Sequence, residues 1–301
     1  MTLMLIDSAS LWYRAYYGMP DTLLSPKGVP INAVKGFIDM TARLINHYNP
    51  DRFALCLDGD WRPSWRVELF AEYKSNRLDE AGEEEEEPDL LTPQVPVILD
   101  LFEALGFEII GADDYEADDV IATLARRERG PVRIVTGDRD LFQLVDDSSD
   151  IKVVYLAKGI SAHDLVDRTW IANRYQIPGE RYGLFAMIRG DASDGLPGIK
   201  GIGEKGAAEI AKVFSSMDEV IDAAQNSHEA LKESHRKKIL ADLKYAKVAA
   251  KLTSCADDLR LPKVTFEIPS AIKDLDEVTD IATEYGLTTS LERLKAALRW
   301  Q

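Results

Sequence analysis

The sequence contains few of the side chains that serve most nucleophilic and zinc-dependent sites. Its 301 residues include two cysteines and four histidines. Cys56 lies within the apolar run at residues 53–57 and Cys255 lies far from it along the chain, so we expect neither a disulfide framework nor a zinc site. No histidine adjoins a candidate nucleophile, which disfavours Ser/His/Asp and Cys/His catalysis.

Long hydrophobic runs are absent too. No run approaches the length of a membrane span, and the start MTLMLIDSAS lacks the basic residues and cleavage site of a secretory signal. An apolar fraction of 46% and a charged fraction of 29% are typical of a soluble globular protein. We therefore predict a cytoplasmic location and, from the length, a main domain with a smaller one.

Positive charge is scarce as well, since the formal net charge is −16. Domains that bind nucleic acid usually carry a basic footprint, so this total argues at first against such a partner. The excess is concentrated in the five glutamates at residues 83–87 and in nine carboxylates considered below as metal ligands. Without these groups the net charge would be about −2, which permits a local basic surface.

Acidic side chains crowd together between residues 111 and 140. Three lie in the first turn of a predicted helix, and two more follow the strand-like run at residues 131–136: Glu116, Asp118, Asp119, Asp138 and Asp140. The helix dipole explains one or two acids in a first turn, but not the second group. Like charges this close raise each other's pKa unless a positive group lies among them. Hard divalent cations, which prefer oxygen ligands, account for both groups.

Three strand-like runs have an aspartate at their exit: Asp7 after residues 3–6, Asp58 after residues 53–57 and Asp138 after residues 132–135. A single acid at the end of a strand is common in turns. In open α/β sheets, however, ligands bind outside the carboxyl ends of the strands. Three such acids therefore predict a site at one edge of the sheet.

Strands alternating with helices predict an α/β fold with a mostly parallel central sheet flanked by helices. Two further strands are expected at residues 107–110 and 151–156. Helices are expected from an N-cap at Ser8 to about residue 17, from Asn32, and from an N-cap at Thr92 before Pro93 to residue 105. Beyond residue 161 the pattern is helical, with helices at 234–252 and 274–285 forming an outer layer. We place an α/β core at residues 1–160 and a helical region at 161–301.

Two segments lack a regular pattern of their own. Basic and aromatic residues alternate at 61–77, and residues 78–91, which include the acidic run 83–87, show no periodicity. We interpret residues 62–92 as an arch or mobile loop, although composition alone favours a solvated, disordered segment for the acidic run.

A glycine-rich turn follows Asp191 and Asp194, and Gly201, Gly203 and Gly206 match G-x-G-x-x-G. A dinucleotide-binding reading fails because no strand precedes the turn. A plain helix–helix turn that needs glycine for positive φ is a second reading. The favoured reading is a helical hairpin at residues 184–214 whose N–H groups bind a DNA phosphate. Its predicted DNA-binding residues are Lys200, Gly201, Gly203 and Lys205.

Taken together, these motifs resemble those of the 5′-to-3′ exonuclease and flap endonuclease family, which includes the N-terminal nuclease domain of bacterial DNA polymerase I. The resemblance runs from about residue 3 to about residue 250. Its matching segments are LIDS with YRA at residues 5–15, Asp58, YK with Arg77 at 73–77, YEADDV at 115–120, TGDRDL at 136–141 and GDASDGLPG at 190–198.

The resemblance implies a helical arch, a helix–hairpin–helix motif and metal-dependent hydrolysis of DNA or an RNA primer during replication and repair. Two or more Mg²⁺ or Mn²⁺ ions would be held by two groups of acids. The first group would be Asp7, Asp58, Glu116 and Asp118; the second would be Asp119, Asp138, Asp140, Asp191 and Asp194, partly through water. The hairpin would bind duplex DNA and, in addition, K⁺ through main-chain oxygens.

The resemblance also assigns phosphate contacts to Lys74, Arg77 and Arg14. It implies a monomer that acts on 5′ flaps, nicks and 5′ ends near the nucleoid, in cooperation with a DNA polymerase and apparently as a stand-alone nuclease. Two departures stand out: Asp114 precedes the tyrosine where relatives often have glycine, and the acidic run at 83–87 falls in the expected arch.

Two other functions stay open at this point. An RNA-cutting nuclease can have a similar acidic α/β core, but it gives no reason for the glycine turn. A non-catalytic nucleic-acid-binding relative would be expected to have lost part of the acidic set, whereas all nine positions are filled.

Overall fold

A computed structural model of the protein describes residues 1–78 and 90–300. Its centre is a six-stranded sheet in the order β3-β2-β1-β4-β5-β6. The strands are β1 Leu3–Asp7, β2 Arg52–Cys56, β3 Glu108–Ile110, β4 Val132–Thr136, β5 Ile151–Tyr155 and β6 Asp164–Val166. Neighbouring strands from β3 to β5 pair in parallel, and β6 runs antiparallel to β5. The predicted α/β class with a mostly parallel sheet is confirmed.

Helices cover the sheet on both sides and also build the C-terminal region. They are α1 Ser8–Gly18, α2 Asn32–Tyr48, α3 Ser64–Leu69, α4 Gln94–Leu105, α5 Ala117–Arg127, α6 Arg168–Tyr175, α7 Tyr182–Arg189, α8 Glu204–Ala211, α9 Met217–Gln225, α10 Glu233–Ala241, α11 Leu243–Thr253, α12 Leu275–Tyr285 and α13 Thr288–Leu298. No helix within the described ranges is both long and apolar enough to cross a membrane.

The alternation of side chains along β1 divides the core into two layers. Leu3 and Leu5 pack with α5 and the helices of the C-terminal region, whereas Met4 and Ile6 pack with α1, α2, α4 and the last two helices. All four side chains are at most 1% exposed. The sheet is thus covered on both faces, which leaves the strand ends as the place where polar groups can gather.

Several predicted boundaries need correction. Asp7, not Ser8, caps α1, because its side chain accepts the Ser10 N–H. Helix α4 begins at Gln94, since a turn closed by the Gln94 N–H and the Leu91 C=O takes up residues 90–93, so Thr92 is not its cap. The predicted helix at 234–252 is broken at Asp242 into α10 and α11. Strand β6 lies where only helices were expected.

Candidate active site

The acidic side chains meet at the carboxyl edge of the sheet. Asp7 is the last residue of β1, and Asp58 and Asp138 each lie two residues beyond the end of β2 and β4. Since these three strands are adjacent and parallel, their ends come to the same place. The Asp58 carboxylate accepts the Ala117 N–H at 2.7 Å, which brings the first turn of α5 and its acids to the same edge.

Asp7 is 7% exposed and bound on both oxygens. One accepts the Ser10 N–H at 3.2 Å, and the other accepts the Thr136 hydroxyl at 2.6 Å. Burial raises the pKa of Asp7 to about 6, and repulsion from Asp58 and Asp138 adds to this, although the Thr136 hydrogen bond opposes it. Asp7 therefore lies close enough to Asp58 and Asp138 for their negative charges to disfavour its ionised form.

Asp118 and Asp140 show the same repulsion more strongly. Burial raises the pKa of Asp118 well above its usual value, and Asp138, Asp7 and Glu116 raise it further. Burial likewise raises the pKa of Asp140, with repulsion from Asp138, Asp194 and Asp191. One Asp140 oxygen is buried and has no hydrogen-bond partner in the described part of the chain. A buried, unpartnered carboxylate oxygen is what a cation would be expected to satisfy.

Glu116 caps α5 and is surrounded by three donors. The Lys74 ammonium lies 2.5 Å from one of its oxygens, the Arg66 guanidinium donates to the other at 3.1 Å, and the Tyr73 hydroxyl donates at 2.9 Å. Burial raises the pKa of Glu116, while Lys74 and Arg66 act in the opposite direction. Glu116 thus has two cations beside it, Lys74 and Arg66.

Asp119 is fully buried, and all four acceptor positions of its carboxylate are used. The Arg66 guanidinium forms a fork with its two oxygens at 2.7 and 2.8 Å, and the Ala256 and Glu116 N–H groups complete the set at 2.7 and 3.2 Å. In this arrangement the partner of Asp119 is Arg66, which sequence reasoning missed, and the contact with the Glu116 N–H orients Glu116. The role of Asp119 as a metal ligand stays a prediction.

The loop at residues 190–198 brings the last two acids to the edge. Asp191 accepts the Ser193 N–H at 2.9 Å and lies 3.4 Å from Arg189. Asp194 pairs with Arg77 at 2.8 Å. Burial raises the pKa of Asp194, but Lys74 and Arg77 counteract the rise.

The described carboxylates do not form a complete set of metal ligands in their present positions. Within residues 1–78 and 90–300, no three carboxylate, histidine or cysteine side chains stand close enough to hold a metal ion as they are placed. The donor set nevertheless fits a hard divalent cation. Its donors are carboxylate oxygens, it contains acids that repel one another, and one Asp140 oxygen lacks a partner.

The three predicted phosphate-binding cations are placed differently. Lys74 is 8% exposed, and its backbone is left-handed at φ +49°, held by its N–H donating to the Asp194 C=O at 2.9 Å. Burial would lower the pKa of Lys74, but Glu116 and Asp194 outweigh it and the pKa is raised. Arg77 stays 43% exposed beside Asp194. Arg14 lies on α1 and donates to the Ala157 C=O at 3.4 Å.

The glycine-rich turn connects α7 to α8. Gly201 has φ +80°, and Gly203 caps α8 without a side-chain hydrogen bond. The Lys200 N–H is already bound to the Asp242 carboxylate at 3.0 Å, so only the Lys200 side chain could contact DNA. The Lys238 ammonium donates to the Gly201 C=O at 2.6 Å, and Lys205 lies in the first turn of α8.

The two departures from the family pattern have different outcomes. Asp114 accepts the N–H and hydroxyl of Ser64, each at 2.6 Å, and so ties the start of α3 to the loop before α5. Its carboxylate is therefore part of a loop contact. The acidic run at residues 83–87, with the rest of residues 79–89 of the predicted arch, lies outside the described residues.

Comparisons with known proteins agree with this arrangement. Residues 2–176 match the model of the 5′-3′ exonuclease N-terminal resolvase-like domain, and residues 177–276 match that of the 5′-3′ exonuclease C-terminal SAM fold. A 5′-3′ exonuclease of Streptomyces coelicolor is 44% identical over 299 residues, 98% of this chain and 99% of that protein. A 5′-3′ exonuclease of Mycobacterium tuberculosis is 41% identical over 98% of this chain and 97% of that protein.

More distant similarity extends to larger proteins and to solved structures. A DNA polymerase I of Mycobacterium tuberculosis is 36% identical over 73% of this chain, which corresponds to 24% of the polymerase. The bacteriophage T5 5′-exonuclease with bound zinc ions has a TM-score of 0.64 and 19% identity, covering 98% of this chain and 100% of that one. The catalytic core of Rad2 in complex with DNA has a TM-score of 0.53 and 18% identity, covering 98% and 91%. At these identities the two structures show the common fold.

Proposed function

The chain belongs to the 5′-3′ exonuclease family, and from that premise we propose that it is a structure-dependent 5′-to-3′ exonuclease and 5′-flap endonuclease that hydrolyses DNA with the help of divalent metal ions. The observation that carries the proposal is the group of mutually repelling carboxylates at the carboxyl edge of the sheet, one of which has a buried oxygen without a partner.

Nine carboxylates would hold the metal ions, directly or through water: Asp7, Asp58, Glu116, Asp118, Asp119, Asp138, Asp140, Asp191 and Asp194. Mg²⁺ and Mn²⁺, two or more ions, suit a site made of oxygen donors. When bound, such ions supply a water of lowered pKa and neutralise charge on the leaving oxygen of a phosphodiester.

The chain's own residues would bind and orient the DNA strand. The Lys74 ammonium already lies among the acids and offers a positive charge to the scissile phosphate, while Arg77 and Arg14 at the rim offer forked donors to its neighbours. The hairpin between α7 and α8 would bind the duplex arm through Lys205, the Lys200 side chain and the backbone at Gly201 and Gly203, with K⁺ on main-chain oxygens as a further cofactor.

The substrates we propose are DNA duplexes with 5′ flaps, nicks or 5′ ends, together with RNA–DNA primers. A monomer acting beside a DNA polymerase at the nucleoid in the cytoplasm would meet such substrates during replication and repair. Similarity to DNA polymerase I over 73% of this chain supports the link to a polymerase.

The test compares Asp140→Asn with the wild-type protein on a 5′-flapped duplex in Mg²⁺ and, separately, in Mn²⁺. Because Asp140 carries the unpartnered oxygen, we expect turnover to fall by at least about 100-fold while duplex binding changes little. Asp113→Asn is the matched control, since Asp113 is an exposed acid near the same edge and should leave turnover unchanged.

The same assay separates the competing functions. Cleavage of single-stranded RNA in preference to flapped or nicked DNA would favour an RNA-cutting nuclease. Equal cleavage by wild type and Asp140→Asn would remove Asp140 from the metal site, and a wild-type protein that binds the flap without cutting it in either metal would indicate a non-catalytic relative.

A further inference from the structure

A polar cavity lies beside the carboxyl edge of the sheet and is separate from the acidic set. It has a volume of about 540 Å³ and opens between the turn after β4, the turn after β5, helix α6 and the start of α8. A cavity of this size accommodates a group as large as one nucleotide unit. Neither the metal site nor the glycine hairpin accounts for it.

Three cations from three separate elements line this cavity. Arg139 lies on the turn after β4, Lys158 on the turn after β5 and Arg174 on α6. Lys158 is paired with Asp164 at 3.1 Å, but Arg174 has no acidic partner within 4 Å in the described ranges. Arg139 is 48% exposed, and its nearest carboxylate oxygen belongs to Asp191 at 3.7 Å. The Arg174 guanidinium is therefore available to an incoming anion, and the half-exposed Arg139 has only a long contact with one acid.

The acids of the cavity do not cancel this positive charge. Asp164 is occupied by Lys158, and Glu204 lies in the first turn of α8. Three cations against two acids leave a net positive cavity in a chain whose formal net charge is −16. This is the kind of local basic surface that the overall composition conceals.

Rigid aromatic rings form the cavity wall. Tyr155 and Trp170 both pack against Phe142, with ring centroids 4.9 and 5.5 Å apart, and Tyr175 packs against Tyr182 at 5.2 Å. An apolar wall lowers the local dielectric constant and strengthens the attraction between a guanidinium and an anion. The Arg174 guanidinium lies 5.5 Å from the centre of the Tyr175 ring, which holds it at this wall.

The position of the cavity indicates which anion it takes. Arg139 also borders a neighbouring cavity of about 680 Å³ formed with the loop that contains Asp191, on the metal side. Glu204, which also lines the cationic cavity, directly follows Gly203, the cap of α8 in the glycine hairpin. The cationic cavity therefore lies between the two places at which the proposed function requires DNA.

We propose that this cavity is a third DNA contact, in which Arg139 and Arg174 bind a backbone phosphate of the duplex arm as it passes from the metal edge to the glycine hairpin. The proposal rests on the proposed function for the identity of the anion. A guanidinium group binds a phosphate through two parallel N–H···O hydrogen bonds and does not contact the bases. The contact therefore fixes the position of the duplex and does not depend on its sequence.

The test is the salt dependence of duplex binding by Arg174→Ala, Arg174→Lys and wild type, measured by fluorescence anisotropy in EDTA so that the DNA stays intact. We expect Arg174→Ala to weaken duplex binding about fivefold and to lower the log–log salt slope by about 0.9, the value for one phosphate contact. Arg174→Lys should keep most of the slope, because the charge remains.

Arg260→Ala is the matched control. Arg260 is an exposed arginine next to Leu259, whose C=O accepts a hydrogen bond from Arg127 at the last turn of α5. Arg127 lies nine positions after Asp118 on α5, which is roughly 13 Å along the helix axis. Arg260→Ala should bind as wild type does.

The outcomes distinguish the cavity from the function as a whole. An unchanged slope for Arg174→Ala, with a wild-type protein that cuts flaps in Mg²⁺, would overturn the cavity proposal and leave the nuclease function intact. An equal loss for Arg174→Ala and Arg260→Ala would overturn it too, because it would indicate diffuse attraction. A wild-type protein that neither binds duplex nor cuts it would overturn both proposals.

Discussion

At the scale of single residues, the contact between Arg66 and Asp119 connects the base of the arch to the acidic helix. Arg66 is 3% exposed, and its guanidinium lies 4.4 Å from the centre of the Trp65 ring. The Ala256 N–H on Asp119 adds the segment after α11 to the same contact. Three distant parts of the chain are thus held together at one carboxylate.

We expect Arg66→Met to lower the free energy of unfolding by about 3–5 kcal/mol, because removing one member of a buried ion pair leaves the other charge unpaired. Urea unfolding of Arg66→Met, Asp119→Asn and the double variant measures the coupling between the two residues. Arg126→Met is the control, since Arg126 forms a surface ion pair with Asp257 and should change stability little. Additive losses from the two single substitutions would show that the pair is not coupled.

Sequence alone placed Asp119 with the metal ligands because a carboxylate in a first helical turn looks the same whether its partner is an ion or an arginine. Its partner Arg66 lies 53 positions away, in a segment whose basic and aromatic residues indicated only an arch. By contrast, the convergence of Asp7, Asp58 and Asp138 followed from strand ends alone. The position of a residue along a strand can be predicted from the local sequence, whereas the partner of its side chain depends on the tertiary structure.

At the scale of elements, the glycine hairpin and the helices behind it behave as one unit. The Asp242 carboxylate that binds the Lys200 N–H lies at the break between α10 and α11. The break was missed because residues 234–252 are rich in good helix formers, and nothing local shows that Asp242 serves another segment. Strand β6 was missed because three residues give no period to detect.

Lys205→Ala tests the hairpin directly. Lys205 lies beside the cap of α8, so we expect its loss to weaken duplex binding and to lower the log–log salt slope by about one. Binding to a duplex of fixed length at several salt concentrations gives the slope. Lys263→Ala, at an exposed lysine in the segment before α12, provides the comparison. A Lys205→Ala slope equal to that of wild type would contradict the phosphate contact.

At the scale of the whole molecule, the acids at the carboxyl edge of the sheet lower the stability of the fold when no divalent ion is bound. Asp118 and Asp140 are acids whose charged form is disfavoured by burial and by the nearby carboxylate of Asp138. A folded chain without divalent ions therefore contains repulsion that the unfolded chain does not. Anything that neutralises the edge should stabilise the fold.

We accordingly expect Asp140→Asn to melt a few degrees above wild type in EDTA, since about 1 kcal/mol corresponds to roughly 2–4 °C in a protein of this size. Added Mn²⁺ should raise the melting temperature of wild type more than that of Asp140→Asn, because binding to the folded state alone stabilises it. Calorimetry of both proteins and of Asp113→Asn measures this. A lower melting temperature for Asp140→Asn in EDTA would indicate that the charge is already compensated.

The two margins of the central sheet have a consequence for how crowded molecules of this protein behave. Both end in strands of three residues, β3 and β6, and next to β3 the Phe266 C=O already accepts the Phe53 N–H at 2.8 Å. A long, open strand margin is a template on which neighbouring chains add strand to strand and grow into fibrils. Margins this short offer few starting points for such growth, so we expect concentrated solutions of the protein to resist fibril formation.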